Sequence, residues 1–388
     1  MYRIGKEEVE AVARVMETRA LFKINKTEQD VMHAEEEMKA LFKTEHALLM
    51  TSGYAALTSA LVAMGIGPGD EVIVPGYTYI ASAMAVVGAG AMPVIVDVDD
   101  TLTLDPEAFE AAITKNTKAV IPVHIQGFPC KMDKICEIAR KHGVLVLEDA
   151  CQADGGCFGG KRLGTIGDAG ALSFNYYKVI TAGEGGALFT DNKKIFERAL
   201  IYHDSSAVAY FGDQLSDVDS ELFCGNEYRT NGISAAILRE QMKRLDGILA
   251  DLRKNKKYVM DAIADLCEFV PSNDIEGDCG TTIALRFKDA QTADRFAQYE
   301  GVGGTVPINT GKHVYTNWTP IMNKVGAAHP LMDPFKMEAN KDIVPDYRAD
   351  MCEKTLDLLS RSVYISVKPD WTKEEMDEKV RIIREALR

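Results

Sequence analysis

Four short stretches hold the side chains best able to do chemistry. An apolar run, Val144-Leu145-Val146-Leu147, ends in two carboxylates, Glu148 and Asp149. Ligands of open parallel sheets bind beyond the carboxyl ends of strands, which puts Asp149 at a site edge. A helix cap or an ion-pair partner is the ordinary alternative. In Ser173-Phe174-Asn175-Tyr176-Tyr177-Lys178, a lysine follows a buried run and precedes a Gly-rich turn. Aromatic neighbours that strip water from an amine favour its neutral, nucleophilic form. Alone, it reads more readily as an ordinary surface lysine.

Thr51-Ser52-Gly53-Tyr54 joins a strand-like run to a helical one and offers backbone amides and a helix N-terminus to an anion. Ser52 is also an ordinary helix cap. Pro75-Gly76-Tyr77-Thr78-Tyr79 sets an aromatic just past a strand, suited to stacking on a flat ring or to packing in the core. An anion cradle, a stacking ring, a carboxylate and a reactive amine on one sheet edge are what a pyridoxal phosphate site needs.

The elements that must position them follow from periodicity. Residues 6–18 and 28–42 read as charged surface helices. From residue 46, β-rich runs at 47–50, 71–74, 93–97, 118–123, 144–148, 171–174 and 187–190 alternate with helical stretches such as 54–64, 106–113 and 132–141. That alternation predicts an α/β fold with a mainly parallel sheet flanked by helices. Residues 205–225 read as a long polar loop, and 233–249 and 251–266 as one or two long helices. Strands at 282–287 and 363–367 and helices at 292–299 and 373–387 predict a smaller α+β unit. The expected division is 1–240, a large cofactor-binding domain with N-terminal helices, and 241–388, a small C-terminal domain. Residues 301–347 show no periodicity, and aperiodic runs of that length are usually functional or mobile.

Composition narrows the function. Of 388 residues, 46% are hydrophobic and 26% charged, as in a soluble globular enzyme. With 44 Lys and Arg against 58 Asp and Glu, the formal charge is −14, which argues against a nucleic-acid binder. The eight cysteines form no CxxC pair and no metal-spaced Cys–His cluster, so reduced thiols and no metal are expected. The first eight residues lack an apolar h-region, and the most apolar stretch, 80–96, is broken by Gly88, Gly90 and Pro93. No signal peptide or membrane span is expected, and a cytoplasmic location is the default.

The blocks TSGYAALTSALVAMGIGPGDEVIVPGYTYIASA, AVIPVHIQGFPCKMDKICEIARKHGVLVLEDACQADGG, GTIGDAGALSFNYYKVITAGEGGALFTDN and GNEYRTNGISAAILREQMKRLD resemble the DegT/DnrJ/EryC1/StrS sugar aminotransferases, which have the fold-type I, aspartate aminotransferase-like architecture. The resemblance covers roughly residues 28–250. It implies that Lys178 takes pyridoxal 5'-phosphate covalently, that Asp149 pairs with its ring nitrogen and that Gln152 lies near its phenolic oxygen. By the same resemblance Tyr79 stacks on the ring, and Ser52, Gly53, Tyr54 and Ser173 hold the phosphate. It further implies a homodimer with shared active sites, residues 225–229 reaching the partner's site, Asn226 toward the phosphate and Tyr228 and Arg229 toward the substrate.

The implied reaction moves an amino group from glutamate or glutamine to a keto sugar, commonly nucleotide-linked, or a keto-cyclitol, in amino-sugar or polysaccharide biosynthesis. The sequence departs from the family at Tyr54, commonly Thr; at Asp154, often His; and at Glu227, where many members have Asn. On the acceptor side, His313, Tyr315 and Trp318 in the aperiodic segment mix donors with aromatics suited to a polyol, or to a packed capping loop. A dehydratase branch of the family replaces the lysine with His, so Lys178 favours transamination. A non-catalytic regulatory protein on the same fold is the other alternative.

Overall fold

The computed structural model describes residues 3–23, 29–205 and 218–388. Helices α1 (Lys6–Thr18) and α2 (Asp30–Phe42) precede strand β1 (His46–Met50). Then follow α3 (Gly53–Ala63), β2 (Glu71–Pro75), α4 (Ala81–Gly88), β3 (Met92–Val96), α5 (Pro106–Ala111), β4 (Thr117–Val120), α6 (Met132–His142) and β5 (Leu145–Asp149). A two-stranded ribbon, β6 (Cys157–Phe158) and β7 (Lys161–Arg162), leads to β8 (Ala169–Ser173), β9 (Gly186–Thr190) and α7 (Lys193–His203). All seven β-rich runs of the sequence become the strands of one seven-stranded sheet, ordered β1-β9-β8-β5-β4-β2-β3. Only β9 runs against its neighbours. Strands β2, β8 and β9 are buried along their whole length, which is why they carry no polar alternation.

Local chemistry sets the element ends. Ser52 has an extended backbone and its side chain accepts from Ala55 N at 3.1 Å, starting α3. Gly143, at φ 67°, takes the left-handed turn that closes α6 before β5. The helix α8 (Gly232–Ile263) is capped by Asn231, whose side chain accepts from Ile233 N and Ser234 N.

The C-terminal elements are β10 (Glu268–Phe269), β11 (Thr282–Arg286), α9 (Ala290–Ala297), β12 (Gly304–Thr305), α10 (Thr319–Met322), α11 (Glu353–Ser360), β13 (Ser362–Ser366) and α12 (Lys373–Ala386). They build an antiparallel sheet of order β10-β11-β13-β12. The expected junction at residue 240 lies inside α8, which is a single helix and not two. One hydrophobic cluster joins the sheets: Leu172 and Phe189 of the large sheet and Ile283 and Ile365 of the small one meet Leu245 and Leu252 of α8. The polar stretch 205–225 falls mostly outside the described residues, as does residue 28. The aperiodic segment 301–347 folds as successive 3-10 turns pinned by buried Tyr315, Trp318 and Asn340.

Glu148 ties the sheet to the loop beyond β7. Its oxygens accept from Gly164 N (2.9 Å), Ile166 N (2.5 Å) and Gly167 N (2.7 Å), and meet His124 Nε2 at 3.0 Å. Cys130 N donates to His124 Nδ1, so the imidazole is neutral with its proton on Nε2, aimed at Glu148. Both side chains are fully buried. Glu148→Ala strands four donors, the His124 ring and three amides, at about 1–3 kcal/mol for each that stays unsatisfied, read as an early unfolding midpoint in urea or no folded protein.

Candidate active site

The first three stretches converge through strand register. Met50 pairs with Gly186, Gly186 with Ser173, and Ala171 with Asp149, so three strand ends share one edge. The turn into α3 lies over this edge at backbone contact distance. A Cβ on Gly186 would lie 2.3 Å from the Ser52 carbonyl, and one on Gly53 would lie 2.6 Å from Cys151 Sγ and 3.0 Å from Ser173 Cβ. Only glycine allows that approach. The result is a cradle of Ser52, Ser173 and the first amides of α3, an arrangement that fits a phosphate group. The Tyr54 hydroxyl is turned toward Gly88, away from the cradle's amides, and Tyr202 and Tyr228 meet edge to face nearby.

Asp149 is 5% exposed. Oδ2 accepts from Ser82 Oγ at 2.6 Å and Oδ1 from Cys151 N at 3.1 Å. Ser82 in turn lies 2.7 Å from Thr78 Oγ1. Among the described residues Asp149 has only neutral partners, the Ser82 hydroxyl and the amide and thiol of Cys151, and no ion pair, an environment open to a cationic group. Gln152 Oε1 accepts from Gln126 N at 3.1 Å. Gln126 adopts φ 54° and is held there by Thr281 Oγ1 on its carbonyl and Thr282 Oγ1 on its side chain. Sequence reasoning missed Ser82, in the first turn of α4, and Gln126, in the turn after β4, because their hydrogen bonds to Asp149 and Gln152 cross long sequence separations that no local pattern marks.

Lys178 is half-buried on a turn closed by its N–H to Asn175 O at 3.0 Å. Its amine makes no ion pair or side-chain hydrogen bond among the described residues, and its charge acts on Cys151, Asp154 and His313. Tyr79 is 38% exposed, with Lys312 Nζ 4.8 Å from its ring centroid and the His313 ring at 5.5 Å. His313 Nδ1 meets Thr310 O at 3.3 Å. Burial lowers its pKa, with the charges of Lys178 and Lys312 in the same direction, so the ring is neutral at pH 7.

The rest of the expected acceptor pocket is corrected. Tyr315 and Trp318 are wholly buried and spend their polar atoms on the chain, Tyr315 Oη on Ala349 O at 2.6 Å and Trp318 Nε1 on Lys312 O at 2.9 Å. They anchor the segment that presents Lys312 and His313 and do not face a ligand.

Residues 225–229 run beside this subunit's own Tyr202 to Ser205 and Thr51. Asn226 Nδ2 donates to Tyr202 Oη at 2.7 Å, Tyr228 N to His203 O at 2.7 Å, and Thr51 N to Tyr228 O at 2.9 Å. Burial pushes the Tyr228 phenol up to about 12. Arg229 is engaged by Glu227 at 2.9 Å and lies over the Phe22 ring at 5.2 Å.

The sequence matches the DegT/DnrJ/EryC1/StrS aminotransferase family over residues 2–299. It is 44% identical over 210 residues to a GDP-perosamine synthase of Caulobacter vibrioides, covering 53% of this chain and 54% of that one. It is 35% identical over 297 residues to an L-glutamine:2-deoxy-scyllo-inosose aminotransferase of Streptomyces kanamyceticus, covering 74% and 68%. The chain spans about half to two thirds of the length of the curated relatives it matches. The fold is similar to a solved 3-amino-5-hydroxybenzoic acid synthase, with TM-score 0.79 and 28% identity over 100% of this chain and 97% of that one. It is equally close to an aminotransferase of Psychrobacter cryohalolentis, with TM-score 0.80 and 27% identity over 99% and 98%. With the family's blocks meeting at one sheet edge, this chain is a member of the DegT/DnrJ/EryC1/StrS aminotransferase family.

Proposed function

We propose that the protein is a pyridoxal phosphate-dependent aminotransferase that moves an amino group from glutamate or glutamine to a keto sugar or keto-cyclitol. The observation that supports this reading is the buried Asp149, which like Lys178 makes no ion pair among the described residues, at one sheet edge with the cradle of Ser52, Gly53 and Ser173, the Lys178 charge acting on Cys151 beside them. When bound, the cofactor supplies an aldehyde and an electron-withdrawing ring. Asp149, oriented by Ser82, would hold the ring nitrogen's proton through a charge-assisted hydrogen bond. The α3 amides and Ser173 would hold the phosphate and so orient the group. Tyr79 would stack on it, and Gln152, aimed by Gln126, would lie near the phenolic oxygen. With the cofactor bound, the Lys178 amine would be the base that takes the proton from the substrate's α carbon. Lys312 and His313, packed beside Tyr79, would meet the substrate.

We extend the reading to a cytoplasmic homodimer with shared sites. Tyr176 and Tyr177, beside Lys178, are 60% and 76% exposed, an aromatic surface of the kind a second subunit covers. Asn226, Tyr228 and Arg229 then serve the partner's phosphate and substrate. Among the described residues no helix is long and apolar enough to cross a membrane.

Borohydride reduction of the protein with pyridoxal phosphate is expected to place the cofactor's mass on the peptide containing Lys178. Lys178→Ala should lose that label and all transamination; a variant that still turns over refutes the assignment. Ser82→Ala removes a donor to a buried carboxylate and should slow turnover about ten- to a hundredfold, the range for a hydrogen bond to a charged group. Its folding, followed by circular dichroism, should stay intact.

A further inference from the structure

A cleft of about 840 Å3 opens on the small sheet, where the turn after α8, strands β10 and β11, and helices α9 and α12 come together. That volume lies in the range of small-molecule sites. None of its lining residues belongs to the site described above.

The chain carries a formal charge of −14, yet the cleft gathers Arg286, Lys288, Arg295 and Arg361 against two acids, Glu268 and Glu385. Glu385 is already held by Arg381 at 2.6 Å. Arg361 is met by Asp357 at 2.7 Å, and Lys288 by Asp289 only at 3.8 Å. The Arg295 side chain, in the last turn of α9, makes no ion pair or hydrogen bond among the described residues.

Arg286 is the least compensated of the four for its burial. Its side chain is 9% exposed. Nε donates to Ser362 Oγ at 3.1 Å and Nη2 to Asp100 O at 2.9 Å. Nη1 reaches Asp100 Oδ1 only at 3.6 Å, beyond hydrogen-bond length, and that carboxylate is 74% exposed. Burial lowers the Arg286 pKa, the Arg361 charge lowers it further, and Asp100 does not cancel them. A guanidinium keeps its charge at pH 7 all the same, so the cleft holds a buried cation short of a counter-charge.

The rest of the lining is apolar and aromatic. Leu266 and Phe287 are half-buried, the Phe287 ring lies 5.0 Å from that of buried Phe296, and Tyr299 is 43% exposed. Guanidinium forks match phosphate oxygens two at a time, and an exposed aromatic suits a flat ring. Three arginines offer more donors than one phosphate takes up.

We propose that this cleft is a second binding site, for a nucleoside diphosphate: its phosphates meet Arg286, Arg295 and Arg361, and its base lies against Tyr299 and Leu266. Binding makes and breaks no covalent bond. The inference does not use Lys178, so its failure leaves the reading of the active site standing.

The test takes the full chain loaded with pyridoxal phosphate and titrates it calorimetrically with ADP, GDP and UDP in turn. At least one should bind at one per chain. Arg295→Glu, on an exposed side chain, should weaken that binding at least about tenfold, as expected for a lost hydrogen bond to a charged group. Tyr299→Ala should weaken it as well, and both variants should keep the wild-type rate of transamination. If Arg295→Glu does not fold by circular dichroism, Lys288→Glu, just before α9, takes its place. No binding of any of the three at millimolar concentration overturns the proposal. Equal binding by wild type and the folded charge variant also overturns it, since the nucleotide then sits elsewhere. So does inorganic pyrophosphate binding as tightly as the nucleotide, since the base then contributes nothing.

Discussion

Successive side chains of a strand point to opposite faces, and at the end of β5 that rule separates two adjacent carboxylates. Glu148 turns to one face, where three amides and a neutral imidazole surround it. Asp149 turns to the other, where a serine and one amide leave it open to a cation. The first holds β5 against the loop that feeds β8, and β8 delivers Ser173. The second faces the cradle that Ser173 completes. Were Glu148 not fully satisfied, neither the register of β8 nor the aim of Asp149 would be defined.

Much of this was legible in the sequence. Buried strands announce themselves by unbroken Val, Ile and Leu, and each of the seven runs became a strand of the large sheet. The motif residues of β1, β5 and β8 were also readable as neighbours, because an α/β alternation forces strand ends to one edge. Ser82 and Gln126 were not readable. Their importance lies in hydrogen bonds across long sequence separations, 67 residues from Ser82 to Asp149 and 26 from Gln126 to Gln152, which no local pattern encodes.

The opposite error came from Tyr315 and Trp318. Both residue types suit a sugar face and a core equally well, and sequence gives no exposure. What decides is where their polar atoms end: Trp318 donates to the carbonyl of Lys312, and Thr78 and Ile80 donate to the carbonyls of His313 and Lys312. The aromatics thus act one step back, pinning a segment without regular periodicity so that its Lys312 and His313 meet Tyr79.

The helix α8 has 32 residues and, at about 1.5 Å of rise per residue, the length of a small domain. It passes from the first sheet's layer to the second without a break, carrying Leu245 and Leu252 in the apolar cluster common to both. A rod continuous across two layers cannot serve as their hinge. Rearrangement that admits a bulky guest must therefore come from connecting segments, such as the 3-10 turns between β12 and α11, while the two sheets ride together as one frame.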